Sequence, residues 1–280
     1  MREISVSLIS KEIAKMCISA NCKVSKDIKC ALENSISVEQ SELGRNVLEQ
    51  LIENAEIARK EEIPICQDTG MAVVFLEIGQ DVRLIDGSLE DAVNEGVRKG
   101  YADGYLRKSV VSDPLRRVNT NDNTPAIIYT KIIDGDKVKI ILSPKGFGSE
   151  NMSAVKMLMP SDGMEGVVDF VIETVNKAGS NPCPPIVVGI GIGGTMEKAC
   201  LLAKQALTRD IRESNADEYY AGLEEELLEK INELGIGPQG LSGTITALGV
   251  NVETFATHIA GLPVAVNIGC HVNRHESVEI

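Results

Sequence analysis

The 280-residue chain has no tryptophan, and only 5 tyrosines and 4 phenylalanines supply rings. So few aromatics leave little to stack on nucleic-acid bases. Positive charge is also short: 28 Lys and Arg stand against 41 Asp and Glu, a formal net charge of −13. A field of that sign repels DNA, RNA and anionic membranes, so an anionic ligand would need local cations and N–H donors. Long apolar runs are missing too. IVVGIGIGG (186–194) falls far short of the roughly 20 residues that cross a bilayer. The start, MREISVSLISKEI, has no apolar segment followed by a small-residue cleavage site. The expectation is a cytoplasmic protein with no nucleic-acid or membrane partner. No CxxC pair occurs, which leaves a zinc ribbon little support. Seven cysteines, an odd number, argue against a disulfide framework and for thiolate chemistry.

Charged and apolar residues, at 25% and 43%, are those of a globular protein with length enough for a sizeable core. In EQSELGRNVLEQLIENAEIARKEE, Leu43, Val47, Leu51 and Ala55 recur every four residues and predict a helix, with Ser37 and Gln40 as a capping box before it. MAVVFLEIG (71–79) predicts a strand, and SLEDAVNEGVRKGYADGY a helix opened by Ser88 and Asp91. PAIIYTKII and DKVKIILSP, joined by Asp134-Gly135, predict a β-hairpin. DGMEGVVDFVIETVNKAG predicts a helix stopped at Gly179. PPIVVGIGIGG predicts a buried strand, TMEKACLLAKQAL and ADEYYAGLEEELLEKINEL two helices, and the Val- and Thr-rich last forty residues more strands. This order implies an α+β fold, a helical N-terminal part packed with a mixed or antiparallel β region. It reads as one domain over 1–280 with two lobes, 1–110 mainly helical and 111–280 mixed.

The cysteines divide by context. Cys17, Cys22, Cys30 and Cys200 lie in helical patterns and read as small buried hydrophobes. Cys66 (PICQDTG), Cys183 (NPCPP) and Cys270 (IGCH) sit at turns beside Pro or Gly. Three such thiolates suit a [4Fe–4S] cluster whose fourth iron is left open as a Lewis acid; equally, Pro and Gly merely mark loops. GIGIGG (189–194) follows a strand and precedes a helix, but its spacing is not GxGxxG and no acid-ended second strand follows. A tight turn competes there with a dinucleotide site. In KGFGSEN, glycines and Lys145 offer N–H groups and a charge to an anion, or simply leave a strand. Arg107, Arg116 and Arg117 are forks for a carboxylate or surface charges. His258, in apolar FATHIAG, is a core residue or a proton carrier, and His271 and His275 lie in a polar tail.

Taken together, CQDTG, LRxS, NTxxNTPA, KGxGSEN, NPCPP and HxxxLPVAVxxxCH resemble the iron–sulfur fumarases, from about residue 40 to 275. In particular they resemble the α subunit of the two-subunit fumarase and L-tartrate dehydratase type. The resemblance implies that Cys66, Cys183 and Cys270 hold a [4Fe–4S] cluster with one labile iron, in a site assembled from loops. Gln67 and Asp68 would then contact substrate, Arg107 would bind its carboxylate, the Gly148 backbone would line the pocket beside Lys145, and His258 would handle protons with Asp68. It implies a reversible hydration of fumarate to (S)-malate, or dehydration of L-tartrate to oxaloacetate. Phe147 stands where single-chain relatives usually have glycine. Their C-terminal part, with a threonine base and further Arg and Lys, has no counterpart here. The resemblance therefore implies a β subunit that supplies those groups in an α2β2-type heteromer, and poor turnover by this chain alone. Two rivals remain. In a non-catalytic iron–sulfur scaffold or redox sensor, Gln67, Asp68 and Arg107 would be idle. A dinucleotide-binding protein would rest on GIGIGG alone.

Overall fold

The computed structural model describes residues 1–280 and is α+β. In chain order it contains β1 (Arg2–Ser5), α1 (Val6–Cys22), α2 (Lys26–Val38), α3 (Glu42–Glu61), β2 (Met71–Gly79), β3 (Val82–Ile85), α4 (Leu89–Asp103), β4 (Ile127–Ile133) and β5 (Val138–Lys145). There follow α5 (Phe147–Glu150), β6 (Ala154–Leu158), α6 (Gly163–Ala178), β7 (Ile186–Gly193), α7 (Met196–Ala206), α8 (Glu218–Glu233), β8 (Ala247–Phe255), β9 (Leu262–Gly269) and β10 (Glu276–Glu279). No helix is long and apolar enough to cross a membrane. The chain forms two compact units: Met1–Ser25, Asn54–Phe147 and Arg274–Ile280 make the first, Lys26–Glu53 and Gly148–Asn273 the second.

The first unit holds a four-stranded sheet of order β10-β5-β2-β4 and a parallel β1–β3 pair. α1 and α4 cover the sheet. Ile9, Ile13, Val93, Val97 and Tyr101 from the helices meet Ala72, Val74, Leu76, Ile140 and Leu142 from the strands. Each Val, Leu or Ile among them contributes about 1.5–3 kcal/mol when fully buried. Ser88 caps α4 as expected, its Oγ accepting from Asp91 N–H at 3.3 Å. The expected hairpin does not form. β4 and β5 both pair with β2, β4 in parallel and β5 antiparallel, so β2 lies between them. The reason is burial: β2 is apolar and almost wholly buried, and it takes the centre, while the largely exposed β4 suits an edge. The Asp134-Gly135 turn instead closes over the end of β2, where Asp81 N–H donates to Gly135 O at 3.0 Å.

The second unit holds a sheet of order β6-β9-β7-β8. Every residue of β7 is buried. Val188, Ile190 and Ile192 join Val167, Val171 and Val175 of α6 and Leu223, Leu227 and Ile231 of α8 in one core. Gly189 and Gly191 alternate with them on the opposite face, against α7. A Cβ there would stand 2.2 Å from Ala203 O and 2.0 Å from Ala199 O. GIGIGG is thus a packing surface that admits a helix at backbone distance, and Gly189, Gly191 and Gly193 lie inside the strand, which Gly194 follows. Gly179 ends α6 as expected, at φ 54° with its N–H donating to Val175 O at 3.1 Å. The expected cap of α3 shifts. Ser37 lies inside α2, and Ser41 Oγ accepts from Gly44 N–H at 3.2 Å instead. Glu39, 2% exposed, accepts from Ser41, Thr244 and Ile245 N–H at 2.8, 3.0 and 2.8 Å.

Candidate functional site

In the first unit, strand direction gathers the polar motifs at one sheet end. β2 and β4 start there and β5 ends there, with Met71 opposite Lys145 and Val73 opposite Ile127. PICQDTG, NTPA and KGFG therefore meet by topology. Gly70, at φ 76°, makes the turn into β2. The half-buried Cys66 donates its S–H to Gln67 Oε1 at 3.0 Å, which also accepts Asp68 N–H at 2.6 Å. Asp68 is a clasp: Oδ1 accepts from Gly70 N–H at 3.0 Å and Oδ2 from Phe147 N–H at 2.9 Å. Arg107 is exposed, but its backbone is held beside this turn, since Thr69 Oγ1 donates to Arg107 O at 2.9 Å. Lys145 is 7% exposed, rare for a lysine, with Nζ 3.5 Å from Gly146 O.

Three further residues build this end. Asn123, fully buried, donates to Gly70 O at 3.1 Å and accepts from Ser109 N–H at 2.8 Å, joining three motifs. Tyr101 O–H reaches Thr69 O at 2.7 Å and Gly70 O at 3.0 Å, and burial pushes its phenol well above the usual range. Arg274, 5% exposed, donates to Asn21 Oδ1 at 2.8 Å. A Cβ on Gly146 would lie 3.1 Å from Asp68 Oδ2 and 3.3 Å from Arg274 Nη2, so a side chain there would fill the space between carboxylate and guanidinium.

In the second unit, Cys183 precedes β7 and Cys270 follows β9. These strands run antiparallel with Val187 opposite Gly269, so both cysteines lie at one sheet end. The turns touch: His271 N–H donates to Cys183 O at 3.4 Å. Cys183 is exposed, with φ 57°, and Cys270 is half-buried. Gly148 lies in the same unit, where a Cβ would come no closer than 3.6 Å to Asn181 O. His258 sits elsewhere. It occupies the exposed β8–β9 loop, at the far end of β9 from Cys270, about 25 Å away at the usual strand rise. Its Nδ1 accepts from Ala260 N–H at 3.2 Å.

All seven cysteines are free thiols. Cys17 and Cys22 are buried as expected, and burial pushes the Cys17 thiol up to about 12. Cys200 is exposed and Cys30 half-buried, against expectation, because each lies off its helix's core face. Within neither unit do three or more His, Cys, Asp or Glu side chains form a metal-binding group. Two turn thiols lie in the second unit and one in the first. Free thiols on held turns are soft donors of the kind iron–sulfur chemistry needs, so the donor set fits that group.

A family model described as fumarate hydratase (fumerase) matches residues 10–279. The chain belongs to this family. Among its relatives is a Methanocaldococcus jannaschii protein named "Putative L(+)-tartrate dehydratase subunit alpha". It is 46% identical over 273 residues, 95% of each chain. The L(+)-tartrate dehydratase subunit alpha of Escherichia coli K12 is 32% identical over 274 residues, 96% of this chain and 90% of its own. Of the sequence motifs that resemble the fumarases, the first unit collects CQDTG and NTPA at the start of β2, and the second brings NPCPP and the final Cys-His pair together at the start of β7.

Proposed function

We propose that this chain is the α subunit of a hydro-lyase that hydrates fumarate reversibly to (S)-malate. The observation that supports this most is the polar end of the first unit's sheet, where Gln67, Asp68, Arg107 and Lys145 lie around a cysteine. Arg107 and Lys145 are the cations this acidic chain offers a dicarboxylate at that end. Cys66, Cys183 and Cys270 would hold the [4Fe–4S] cluster, which when bound supplies a Lewis-acidic iron for the hydroxyl leaving group.

The chain's own residues then do the following. Arg107, exposed on an anchored backbone, forks one substrate carboxylate. Lys145 adds a positive charge against the carboxylate that gains electron density as the C3 proton leaves. The Gln67 carbonyl accepts from Asp68 N–H, which orients its amide N–H2 for substrate. Asp68 orients the turn that carries both. Gly148 offers backbone, and His258 handles protons from the β8–β9 loop. A β subunit supplies the base and further carboxylate-binding groups in an α2β2-type complex, in keeping with relatives named as subunit alpha.

The relatives' names favour a second reading, dehydration of L-tartrate to oxaloacetate. Both substrates lose hydroxide from one central carbon and a proton from the next. The test is anaerobic co-purification with the partner subunit, followed by turnover of (S)-malate and L-tartrate side by side. Faster malate turnover is expected. Faster tartrate turnover selects the second reading, and an EPR signal that neither substrate perturbs, without turnover, leaves an iron–sulfur scaffold.

A further inference from the structure

Cys183 adopts a left-handed backbone, at φ 57°. A residue with a side chain pays for that conformation and keeps it only where its surroundings hold it. The surroundings here are identifiable. Cys183 N–H donates to Ser180 O at 3.0 Å, and Cys183 O accepts from His271 N–H. The next carbonyl, Pro184 O, accepts twice from one residue: Gln239 N–H and Gln239 Nε2 each donate at 2.7 Å. Gln239 Nε2 also lies 3.4 Å from His271 Nδ1, which is itself 3.2 Å from Cys183 O. One amide group therefore touches both cysteine-bearing turns.

The loop that carries Gln239 is built for this contact. Gln239 is itself left-handed, at φ 53°, between Gly237 and Gly240 at φ 70° and 74°. A Cβ on Gly240 would stand 2.2 Å from Ser180 Cβ, so the loop lies directly on the residues that lead into Cys183. Its far end is pinned by Glu39, which accepts from Thr244 and Ile245 N–H.

The geometry points to Gln239 as a positioning residue: its side-chain amide, bridging Pro184 O and His271, holds the Cys183 and Cys270 turns in the arrangement that keeps a cluster bound. This rests on the iron–sulfur reading above. The informative variant is Gln239→Glu, which keeps shape and backbone donors but replaces the N–H2 donor with an acceptor facing Pro184 O. Gln239→Ala is the second variant.

Two measurements separate the outcomes. In the apo chain, hydrogen exchange of peptides spanning 180–186 and 269–273 should quicken about tenfold in Gln239→Glu, with β2 unchanged. In the anaerobically reconstituted complex, the variant should lose iron about tenfold faster than wild type at equal thermal stability. Wild-type exchange and wild-type iron retention in Gln239→Glu overturn the proposal, since a space-filling side chain would behave so. A wild-type complex that binds no iron overturns the iron–sulfur reading and this proposal with it. Faster exchange with unchanged iron retention shows a loop brace without a role at the cluster, and also overturns it.

Discussion

Glu276 is a carboxylate at odds with its site. Its Oε1 accepts from Ser19 Oγ at 3.1 Å, but its Oε2 is buried without a partner. Burial pushes this carboxyl above the usual range, and the Ser19 hydrogen bond and the Lys23 charge offset that only in part. A raised folded-state value means the native protein holds this proton more tightly than the unfolded chain. The associated stability is complete below the unfolded value of about 4.3 and is lost as pH rises through the folded one. Glu276→Gln should therefore raise Tm by roughly 1–3 °C at pH 7.5 and leave it almost unchanged at pH 4. Circular dichroism melts at the two pH values check this, and a lower Tm at pH 7.5 would refute it. At this scale the sequence was legible where a residue's neighbours in the chain set its role, as for Ser88 and Gly179. It was silent on Arg274. That residue lies in a polar tail, and its burial depends on Asn21, some 250 positions away.

Among the elements, β7 and its helix show where local pattern misleads. GIGIGG has the composition of a phosphate loop, but two of its glycines serve helix packing. Gly191→Ala would press a methyl group onto Ala199 O and should cost about 2–4 kcal/mol, measured by urea unfolding. Saturable binding of NAD, abolished by the same change, would contradict this account. The misplaced hairpin has a related cause. Asp-Gly is a correct turn signal, but a turn reports only that the chain reverses. Which strand lies alongside is decided by burial, and the most buried strand of the first unit was already waiting some fifty residues earlier. Strand existence was readable from β-branched runs, and strand order was not.

For the molecule as a whole, the order of the motifs carried more than any one of them. Each of CQDTG, NTPA and KGFG is a weak signal, and parallel and antiparallel pairing with β2 converts them into neighbours. The reading of the cysteines makes a separable prediction. Serine at Cys66, Cys183 or Cys270 should cut iron per reconstituted complex by at least about fivefold, because under the proposed function each change removes one of three ligands. Serine at Cys200, exposed on α7, should leave it unchanged. Iron and sulfide analysis with matched melting curves decides between them, and an iron content insensitive to Cys183 would remove that residue from the set.

The central place of β2 also bears on how the chain is made. At about 5–20 residues per second, synthesis takes roughly 3–11 s to go from the end of β2 to the end of β4. Throughout that interval a nine-residue apolar strand has emerged or is emerging without either neighbour, its backbone N–H and C=O groups unpaired on both edges. Such a segment is a template for pairing with other chains. Slow, cool expression in a host rich in holding chaperones is the condition under which this protein should accumulate soluble.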